Sequence, residues 1–322
     1  MQAGSCGSAP IGVPRGAEFR ANSSSGNDQL NPSVALDAEG NAVVVWQGWW
    51  QWDGNAADVY AQRYQFGYSD VRLLKDIAPG PDGSTASPRS FAQVGQQAFF
   101  VRARGPSNGL WVSDGTRDGT TLVKDFANAG QFGYAPAAAM GNHYYFSLND
   151  EASHRSELWK SDGTPQGTVL VREFVAPALT YETPNNMQDL TPVEGTLVST
   201  LYFTIDDGQH GRELWASDGT RAGTRRVTNF GPVSALDPSG ADLILAGNTL
   251  YFAADDGQSG RELWKVACNA QDGSPGAVER VKDIRPGSGG ALSVGSVFDR
   301  PGRIGNRVYF FANDGQHGRE LW

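Results

Sequence analysis

Asp255-Asp256-Gly257-Gln258-Ser259-Gly260-Arg261-Glu262-Leu263-Trp264 is a ten-residue segment that the chain repeats almost unchanged. Near copies occupy 206–215 and 313–322, and weaker copies end at Trp159 and Trp111. The five tryptophans are 48, 56, 49 and 58 residues apart. A period of ~40–50 residues or more is typical of propellers and repeat arrays. The repeat therefore indicates the architecture before any single residue is interpreted.

One repeat is predicted to contain four strands. In residues 240–284 an apolar run at 242–246 is followed by the two-residue turn Gly247-Asn248, which tolerates positive φ. A β-branched and aromatic run at 249–254 predicts the second strand, and Arg261 to Val266 the third. A longer turn leads to a fourth run at 278–284. Four short strands joined by hairpins form the antiparallel meander of a propeller blade.

The sequence predicts an all-β fold, a six-bladed β-propeller of four-stranded antiparallel blades within a single domain, 1–322. The sixth predicted blade has three strands, and residues 16–22, after an N-terminal extension at 1–15, have the length and pattern of a fourth. A strand from the N-terminus would cover an edge that otherwise promotes aggregation. We therefore expect the last blade to be closed by this N-terminal strand. The predicted blades span about 31–77, 90–126, 135–175, 188–230, 240–285 and 294–322.

Two segments carry family resemblances. Glu-Leu-Trp-x-Ser-Asp-Gly-Thr, at 157–164 and 213–220, resembles the bacterial ELWxxDGT repeat family over about 250 residues. The segment that closes with Val-Tyr-Ala-Gln-Arg-Tyr at 59–64 is similar, over about 50 residues, to VYAQRY-type repeats of large secreted bacterial proteins. The first resemblance implies a secreted or surface-displayed β-propeller, and it implies no known catalytic residue.

Charge and composition narrow the classes of partner. The net charge of −9 and the pI near 5.0 argue against a nucleic-acid partner, because phosphate binding needs a basic stripe. No apolar stretch approaches the ~18 residues of a membrane-spanning helix. Residues 1–14 lack the charged and apolar regions of a signal peptide. Either a signal peptide has been removed, or the protein is cytosolic. Low lysine content and the resemblances favour a secreted or cell-surface location.

The two cysteines, Cys6 and Cys268, permit one disulfide. Cys6 precedes the predicted closing strand, and Cys268 is predicted to lie in a turn of the fifth blade, next to the sixth. A Cys6–Cys268 bond would hold the closing strand in place and contribute ~4 kcal/mol in the chain-entropy model. Two unrelated free thiols are the alternative.

Repeated polar residues are interpreted mainly as turn residues. His154, His210 and His317 occupy equivalent turns, so different blades would hold them too far apart to share one metal with ~2 Å bonds. Asp206-Asp207-Gly208 and its copies suggest Ca²⁺, yet the 12-residue calcium loop with its terminal glutamate is absent. We predict no metal and no cofactor, with bound Ca²⁺ as the alternative.

The Glu-Leu-Trp segments admit a structural and a binding interpretation. Their tryptophans are predicted to pack between blades, with a sugar pocket as the alternative. The Arg-Glu pairs before them, such as Arg212-Glu213, are interpreted as cross-strand charge pairs worth a fraction of a kcal/mol.

One segment departs from the repeat. Trp49, Trp50 and Trp52 fall in the predicted loop between the second and third strands of the first blade. Exposed aromatic residues at this density indicate a ligand or partner surface, and the alternative is an aromatic cap over the ring. These tryptophans are the predicted ligand-binding residues.

The sequence contains no nucleophile elbow, phosphate-binding loop or zinc spacing. It therefore predicts a non-enzymatic extracellular module that binds protein or polysaccharide through one propeller face. A structural subunit of a cell-surface assembly or filament is the first alternative, and a polysaccharide-active hydrolase is the second. A ring closed within the chain predicts a monomer, whereas strand exchange between chains predicts a homo-oligomer.

Overall fold

The structure is a computed structural model. It describes residues 29–36, 42–48, 58–65, 68–72, 75, 77, 88–102, 109–126, 136–150, 155–175, 187–231, 243–292 and 302–322. All regular elements of these ranges are strands, so the all-β prediction is confirmed. In this part of the chain no helix is long and apolar enough to cross a membrane.

Twenty of the strands form five four-stranded antiparallel sheets, which we number in chain order. Sheets 1 and 2 contain β1 (Gln29–Leu36), β2 (Ala42–Gly48), β3 (Asp58–Gln65), β4 (Tyr68–Arg72), β5 (Pro88–Val94), β6 (Gln97–Arg102), β7 (Gly109–Ser113) and β8 (Thr121–Asp125). Sheets 3, 4 and 5 contain β9 (Ala137–Met140), β10 (His143–Asp150), β11 (Arg155–Ser161), β12 (Val169–Val175), β13 (Gln188–Val193), β14 (Thr200–Asp206), β15 (Arg212–Ser217), β16 (Arg225–Arg226), β17 (Ile244–Ala246), β18 (Thr249–Asp255), β19 (Arg261–Cys268) and β20 (Pro275–Arg280).

Each of these sheets is a meander in which consecutive strands pair, as predicted for a propeller blade. The first strands of sheets 1 to 4 contact one another in sequence, which is how strands line the axis of a propeller. The four-stranded, propeller-like organisation is therefore confirmed. Residues 16–22, the predicted closing strand, lie outside the described residues.

The sixth unit differs from its prediction. Residues 302–322 form two two-stranded sheets, with β21 (Gly302–Ile304) on β22 (Arg307–Tyr309) and β23 (Phe311–Asn313) on β24 (Arg319–Leu321). The aromatic and β-branched run Val308-Tyr309-Phe310-Phe311 predicts one unbroken second strand. Instead Phe310 and Trp322 exchange backbone hydrogen bonds of 3.2 and 2.9 Å, which lengthens the second hairpin.

The meander gives every sheet two distinct ends. One end, here the Asp-Gly-Gln end, carries the turns 206–211, 255–260 and 313–318 together with the starts of the first strands. The other, here the Ser-Asp-Gly-Thr end, carries the turns 113–120, 161–168 and 217–224. Chain direction alone assigns these ends, because consecutive strands are antiparallel.

The repeated tryptophans pack between sheets. A phenylalanine near the end of the fourth strand of one sheet, or just after it, contacts the tryptophan in the third strand of the next. The ring centroids lie 5.1 Å apart for Phe126–Trp159 and 4.7 Å apart for Phe230–Trp264. Such aromatic pairs contribute ~0.5–1.5 kcal/mol beyond the apolar area that they bury. The packing interpretation of the tryptophans is consistent with these contacts.

A cation joins the same pair of sheets. Lys124 Nζ donates to the Thr168 carbonyl at 3.2 Å and lies 4.7 Å from the Trp159 ring centroid. In the next pair, Arg172 Nη1 donates to the Thr224 carbonyl at 2.6 Å and its guanidinium lies 4.8 Å from the Trp215 ring. Lys75 makes the equivalent 2.6 Å bond to Thr120. We call this arrangement the cation clamp.

The Ser-Asp-Gly-Thr turn fixes the carbonyl that the clamp needs. In sheet 4, Asp218 Oδ1 accepts bonds from the Thr220 amide and hydroxyl, and Ser217 and Thr224 share a hydroxyl bond of 2.7 Å. Gly219 has φ of 84°, and a Cβ there would lie 2.2 Å from Tyr145 Oη of sheet 3. Glycine is therefore required by both backbone conformation and the approach of the neighbouring sheet.

The clamp is replaced between sheets 4 and 5. Thr228 stands where Lys124 and Arg172 stand in earlier sheets, and residues 269–273 replace the Ser-Asp-Gly-Thr turn. The first hairpin loop of sheet 4, 194–199, instead bonds to the sheet 5 turn. Leu197 N donates to the Gln271 carbonyl at 2.8 Å, and Tyr202 Oη donates to the Gly273 carbonyl at 2.7 Å.

We predict that Arg172→Met lowers the free energy of unfolding by about 2 kcal/mol. The variant keeps most of the side-chain volume but loses a charged hydrogen bond worth ~1.5–3 kcal/mol and a cation–π contact worth ~0.5–1 kcal/mol. Chemical denaturation is the measurement. Arg221→Met, at an exposed arginine of the neighbouring turn, is the control and should change stability by under about 0.5 kcal/mol. Equal effects of the two variants would contradict the clamp.

Candidate functional site

The Asp-Gly-Gln turns use their carboxylates to hold the backbone. Asp207 Oδ1 accepts bonds from the amides of Gln209 and His210, both at 3.0 Å. Asp256 accepts the equivalent bonds at 2.9 and 2.7 Å. Although burial raises the pKa of Asp207, the hydrogen bond from the His210 side chain and the bonds from these two amides together lower it more, so its pKa lies below the ordinary value. Among the residues that the structure describes, no three acidic, histidine or cysteine side chains are grouped as metal ligands would be.

The described histidines of these turns bond to their own aspartates. His210 Nδ1 lies 2.9 Å from Asp207 Oδ2, and His317 Nδ1 lies 2.7 Å from Asp314 Oδ2. The hydrogen bond and the charge of Asp314 raise the pKa of His317. His154 lies outside the described residues. The turn interpretation of the histidines agrees with this geometry.

The glutamate of Glu-Leu-Trp has a different role from the predicted one. Glu213 is fully buried, and its Oε1 accepts bonds from the amides of Phe230 and Gly231 at 2.8 and 3.2 Å. Its other oxygen accepts the Thr228 hydroxyl. The hydrogen-bond partners of the Glu213 carboxylate are therefore one hydroxyl and two backbone amides. Glu213 instead fixes the segment that leaves the fourth strand of sheet 4.

A second glutamate repeats this arrangement in sheet 5. Glu262 is also fully buried, and its carboxylate accepts bonds from the amides of Ile284 and Arg285 at 3.3 and 3.4 Å. Burial raises the pKa of both Glu213 and Glu262, because the charged form loses its water. Both carboxylates hold backbone segments rather than facing solvent.

The first strands carry the clearest backbone strain. Ser90 in β5 has φ of 60° and Asp189 in β13 has φ of 58°, and each lies where a β-bulge shifts the register. Positive φ is uncommon outside glycine and costs on the order of 1–3 kcal/mol. Bulges of this kind are enriched beside active sites, where they redirect a side chain. Both residues are partly buried and lie at the Asp-Gly-Gln end of their sheets.

Neighbouring residues hold the two bulges. Tyr144 Oη, in sheet 3, donates to the Ser90 carbonyl at 2.5 Å, and Thr191 Oγ1 donates to the Asp189 carbonyl at 3.1 Å. Asp189 thus brings a partly buried carboxylate to a first strand, near the propeller axis. A carboxylate in this position can accept a proton or stabilise a developing positive charge. We take the bulge around Asp189 as the candidate functional site.

The residues predicted from sequence lie elsewhere. Trp49, Trp50 and Trp52 lie outside the described residues, as does Cys6. Cys268 is not in a turn: it ends β19 and is buried against Val193 and Tyr202 of sheet 4 rather than beside the sixth unit. The difference arises because β19 extends beyond the predicted third strand. The disulfide stays a prediction.

Asp189 is not predicted from the sequence, because Gln188-Asp189-Leu190 resembles the ordinary start of a strand. The available signal was conformational: aspartate and asparagine tolerate the left-handed region better than other non-glycine residues. A bulge in one strand nevertheless depends on the register of its partner, which a single segment does not specify.

Comparison with known proteins gives structural likenesses only. No protein-family profile matches the chain, and no curated protein matches it. A structure from a study of two prolyl endopeptidases is 12% identical in sequence, with a TM-score of 0.46. The match covers 89% of this chain and 38% of the matched chain. The β-propeller domain of the Trilobed protease from Pyrococcus furiosus is 12% identical, with a TM-score of 0.41, and the match covers 90% of this chain and 82% of the matched chain. A putative 6-phosphogluconolactonase from Bacteroides uniformis is 13% identical, with a TM-score of 0.43, and the match covers 87% of this chain and 76% of the matched chain.

These likenesses contradict the prediction of a non-enzymatic interaction module. The matched structures are mainly enzymes and also include an exo-β-1,3-galactanase from Phanerochaete chrysosporium and an α-L-arabinofuranosidase from Clostridium thermocellum. A lectin from Aleuria aurantia, bound to α-methyl-L-fucoside, is also among them. The prediction that the chain is not an enzyme is therefore wrong on this comparison. TM-scores below 0.5 transfer no residue role to this chain.

We predict a pH signature for the buried glutamate. The ordinary pKa of a glutamate side chain is 4.5. Well below that pH, Glu213 is protonated in both the folded and the unfolded chain. Burial raises the pKa of Glu213 in the folded chain. As the pH rises above the ordinary pKa, the unfolded chain therefore releases this proton first. The free energy of unfolding falls as a result. The stability of the wild type relative to Glu213→Gln should therefore decrease through this range. Urea denaturation from pH 4 to pH 8 measures it, and a difference between the two proteins that stays constant over this range would contradict the prediction.

Proposed function

We propose that the chain is a β-propeller hydrolase that acts on polysaccharide, with its active site at the Asp-Gly-Gln end around Asp189. One observation carries the proposal: a carboxylate held at φ of 58° on a first strand. Strain of this size is retained when the surrounding structure fixes it, and such residues cluster at active sites. The bulge and the Thr191 bond supply that constraint.

Polysaccharide is the substrate class that this chemistry favours. Hydrolysis of a glycosidic bond generally uses two carboxyl groups, one as general acid and one as base or nucleophile. Asp189 would supply one of them. Trp49, Trp50 and Trp52 are candidates for stacking on sugar rings.

The proposal includes a setting for the protein. A secreted or cell-surface location follows from the composition and from the resemblance to secreted repeat proteins, and it would bring the enzyme to extracellular polysaccharide. Six blades closed by residues 16–22 would complete the ring. Sheets 1 to 5 share one strand order, which supports the ring. Light scattering after size-exclusion chromatography should show a monomer if closure is within the chain.

Asp189→Asn is the direct test of the active site. The full chain should release reducing sugar from at least one member of a panel of β-glucans, galactans, arabinans and xylans. The variant should lose about 10²–10⁴-fold in kcat/KM, the typical contribution of a positioned acid or base. Asparagine tolerates positive φ, so the variant should fold normally. Asp118→Asn, which makes the same charge change at an exposed turn of the opposite end, is the control.

Asp189→Gly distinguishes the loss of the carboxylate from a loss of folding, because it removes the side chain and also relieves the backbone strain. Glycine adopts positive φ without steric cost, so this variant should unfold at the same or a higher denaturant concentration while it loses activity. A hydrolase whose turnover is unchanged by both Asp189 variants would refute the assignment of the site. No turnover on the whole panel would refute the proposed reaction.

A further inference from the structure

Sheet 3 departs from the repeat at two buried positions that face each other across neighbouring strands. The residue before Glu-Leu-Trp is Arg212 in sheet 4 and Arg261 in sheet 5, but it is Ser156 in sheet 3. Its cross-strand partner is Asp206 in sheet 4, whereas it is Asn149 in sheet 3. An aspartate–arginine pair has thus become an asparagine–serine pair, which removes both charges and most of a long side chain.

Sheet 4 shows what the arginine does. Arg212 is buried, and its Nη1 lies 3.3 Å from both the carbonyl and the hydroxyl oxygen of Thr204. Thr204 is paired with Leu214, the leucine of Glu-Leu-Trp. The residue paired with the same leucine in sheet 3 is Ser147. Exchange of the arginine for Ser156 therefore removes the group that would satisfy Ser147.

Two polar groups lack a partner as a result. Ser147 is 0% exposed and Asn149 is 2% exposed. The Ser156 hydroxyl donates to Asn149 Oδ1 at 2.7 Å, while Asn149 Nδ2 and Ser147 Oγ have no hydrogen-bond partner within the described part of the chain. Whichever way the amide is oriented, one of its two polar atoms is left without a partner. A buried polar group in this state costs ~1–3 kcal/mol, so its retention calls for an explanation.

The three side chains lie on one face of one sheet. Ser147 and Asn149 are two residues apart on β10, and Ser156 is opposite Asn149 on β11. Leu158, opposite Ser147, packs in the core cluster that contains Leu201 of sheet 4. Ser147, Asn149 and Ser156 therefore face the boundary between sheets 3 and 4.

We infer that Ser147, Asn149 and Ser156 form a binding site for a hydroxyl oxygen, supplied by water or by a sugar. The amide nitrogen donates, and a serine hydroxyl both donates and accepts, which matches an oxygen that carries its own hydrogen. None of the three side chains is charged, so the site favours neither a metal cation nor an anion. This inference stands independently of the proposed hydrolase.

Ser147→Ala tests the site by the sign of its effect. If the hydroxyl binds an oxygen, its removal should lower the melting temperature by roughly 2 °C, the equivalent of one hydrogen bond. If the hydroxyl has no partner, its removal should raise the melting temperature. Thr204→Val in sheet 4 calibrates the measurement, because it removes a hydroxyl that Arg212 satisfies. A rise for Ser147→Ala with a fall for Thr204→Val would overturn the inference.

A crystal structure and sugar titrations identify the source of the oxygen. An ordered water within 3.5 Å of Ser147 Oγ and Asn149 Nδ2 would establish the site with water. A melting-temperature increase with glucose, galactose or arabinose that Ser147→Ala abolishes would establish sugar as the source. Ser156→Arg should displace either ligand by restoring the guanidinium of the repeat. Absence of electron density in the wild type, together with no sugar-dependent shift, would refute the site.

Discussion

The contact between the fourth strand of one sheet and the third strand of the next holds these meanders together as a propeller. Each meander satisfies its own backbone bonds, so nothing in the sheet itself orients its neighbour. An aromatic pair such as Phe174–Trp215, with ring centroids 5.1 Å apart, and the Arg172 guanidinium above it connect one sheet to the next. Because the guanidinium also bonds to the Thr224 carbonyl, apolar packing and a charged hydrogen bond act on the same boundary.

The exception between sheets 4 and 5 shows that cation and turn form a unit. A buried cation without its carbonyl would carry a desolvation cost. Where the Ser-Asp-Gly-Thr turn is replaced by 269–273, the cation is also replaced, by Thr228, whose hydroxyl bonds to Glu213. The six-residue loop 194–199 then supplies backbone bonds across the boundary. A change in one sheet is matched by changes in its neighbour.

The repeated carboxylates and the residues proposed to be functional have different surroundings. Repeated carboxylates, such as Asp207 and Glu213, are occupied by backbone amides and maintain the fold. Asp189 instead brings a strained carboxylate to a first strand, and Ser156 replaces an arginine inside the core. The first gives the chain a candidate acid or base, and the second gives it a candidate oxygen site.

The sequence by itself determined the strand order and most of the turn positions, because hydrophobic period and turn chemistry are local properties. Only the tertiary structure decided that Glu213 caps a departing segment, that Cys268 faces sheet 4, and that the sixth unit divides at Phe310. Strain at Asp189, and the absence of a partner for the Ser147 hydroxyl among the described residues, also depend on strand register and on the neighbouring sheet. These are contacts between distant segments, and no local pattern encodes them.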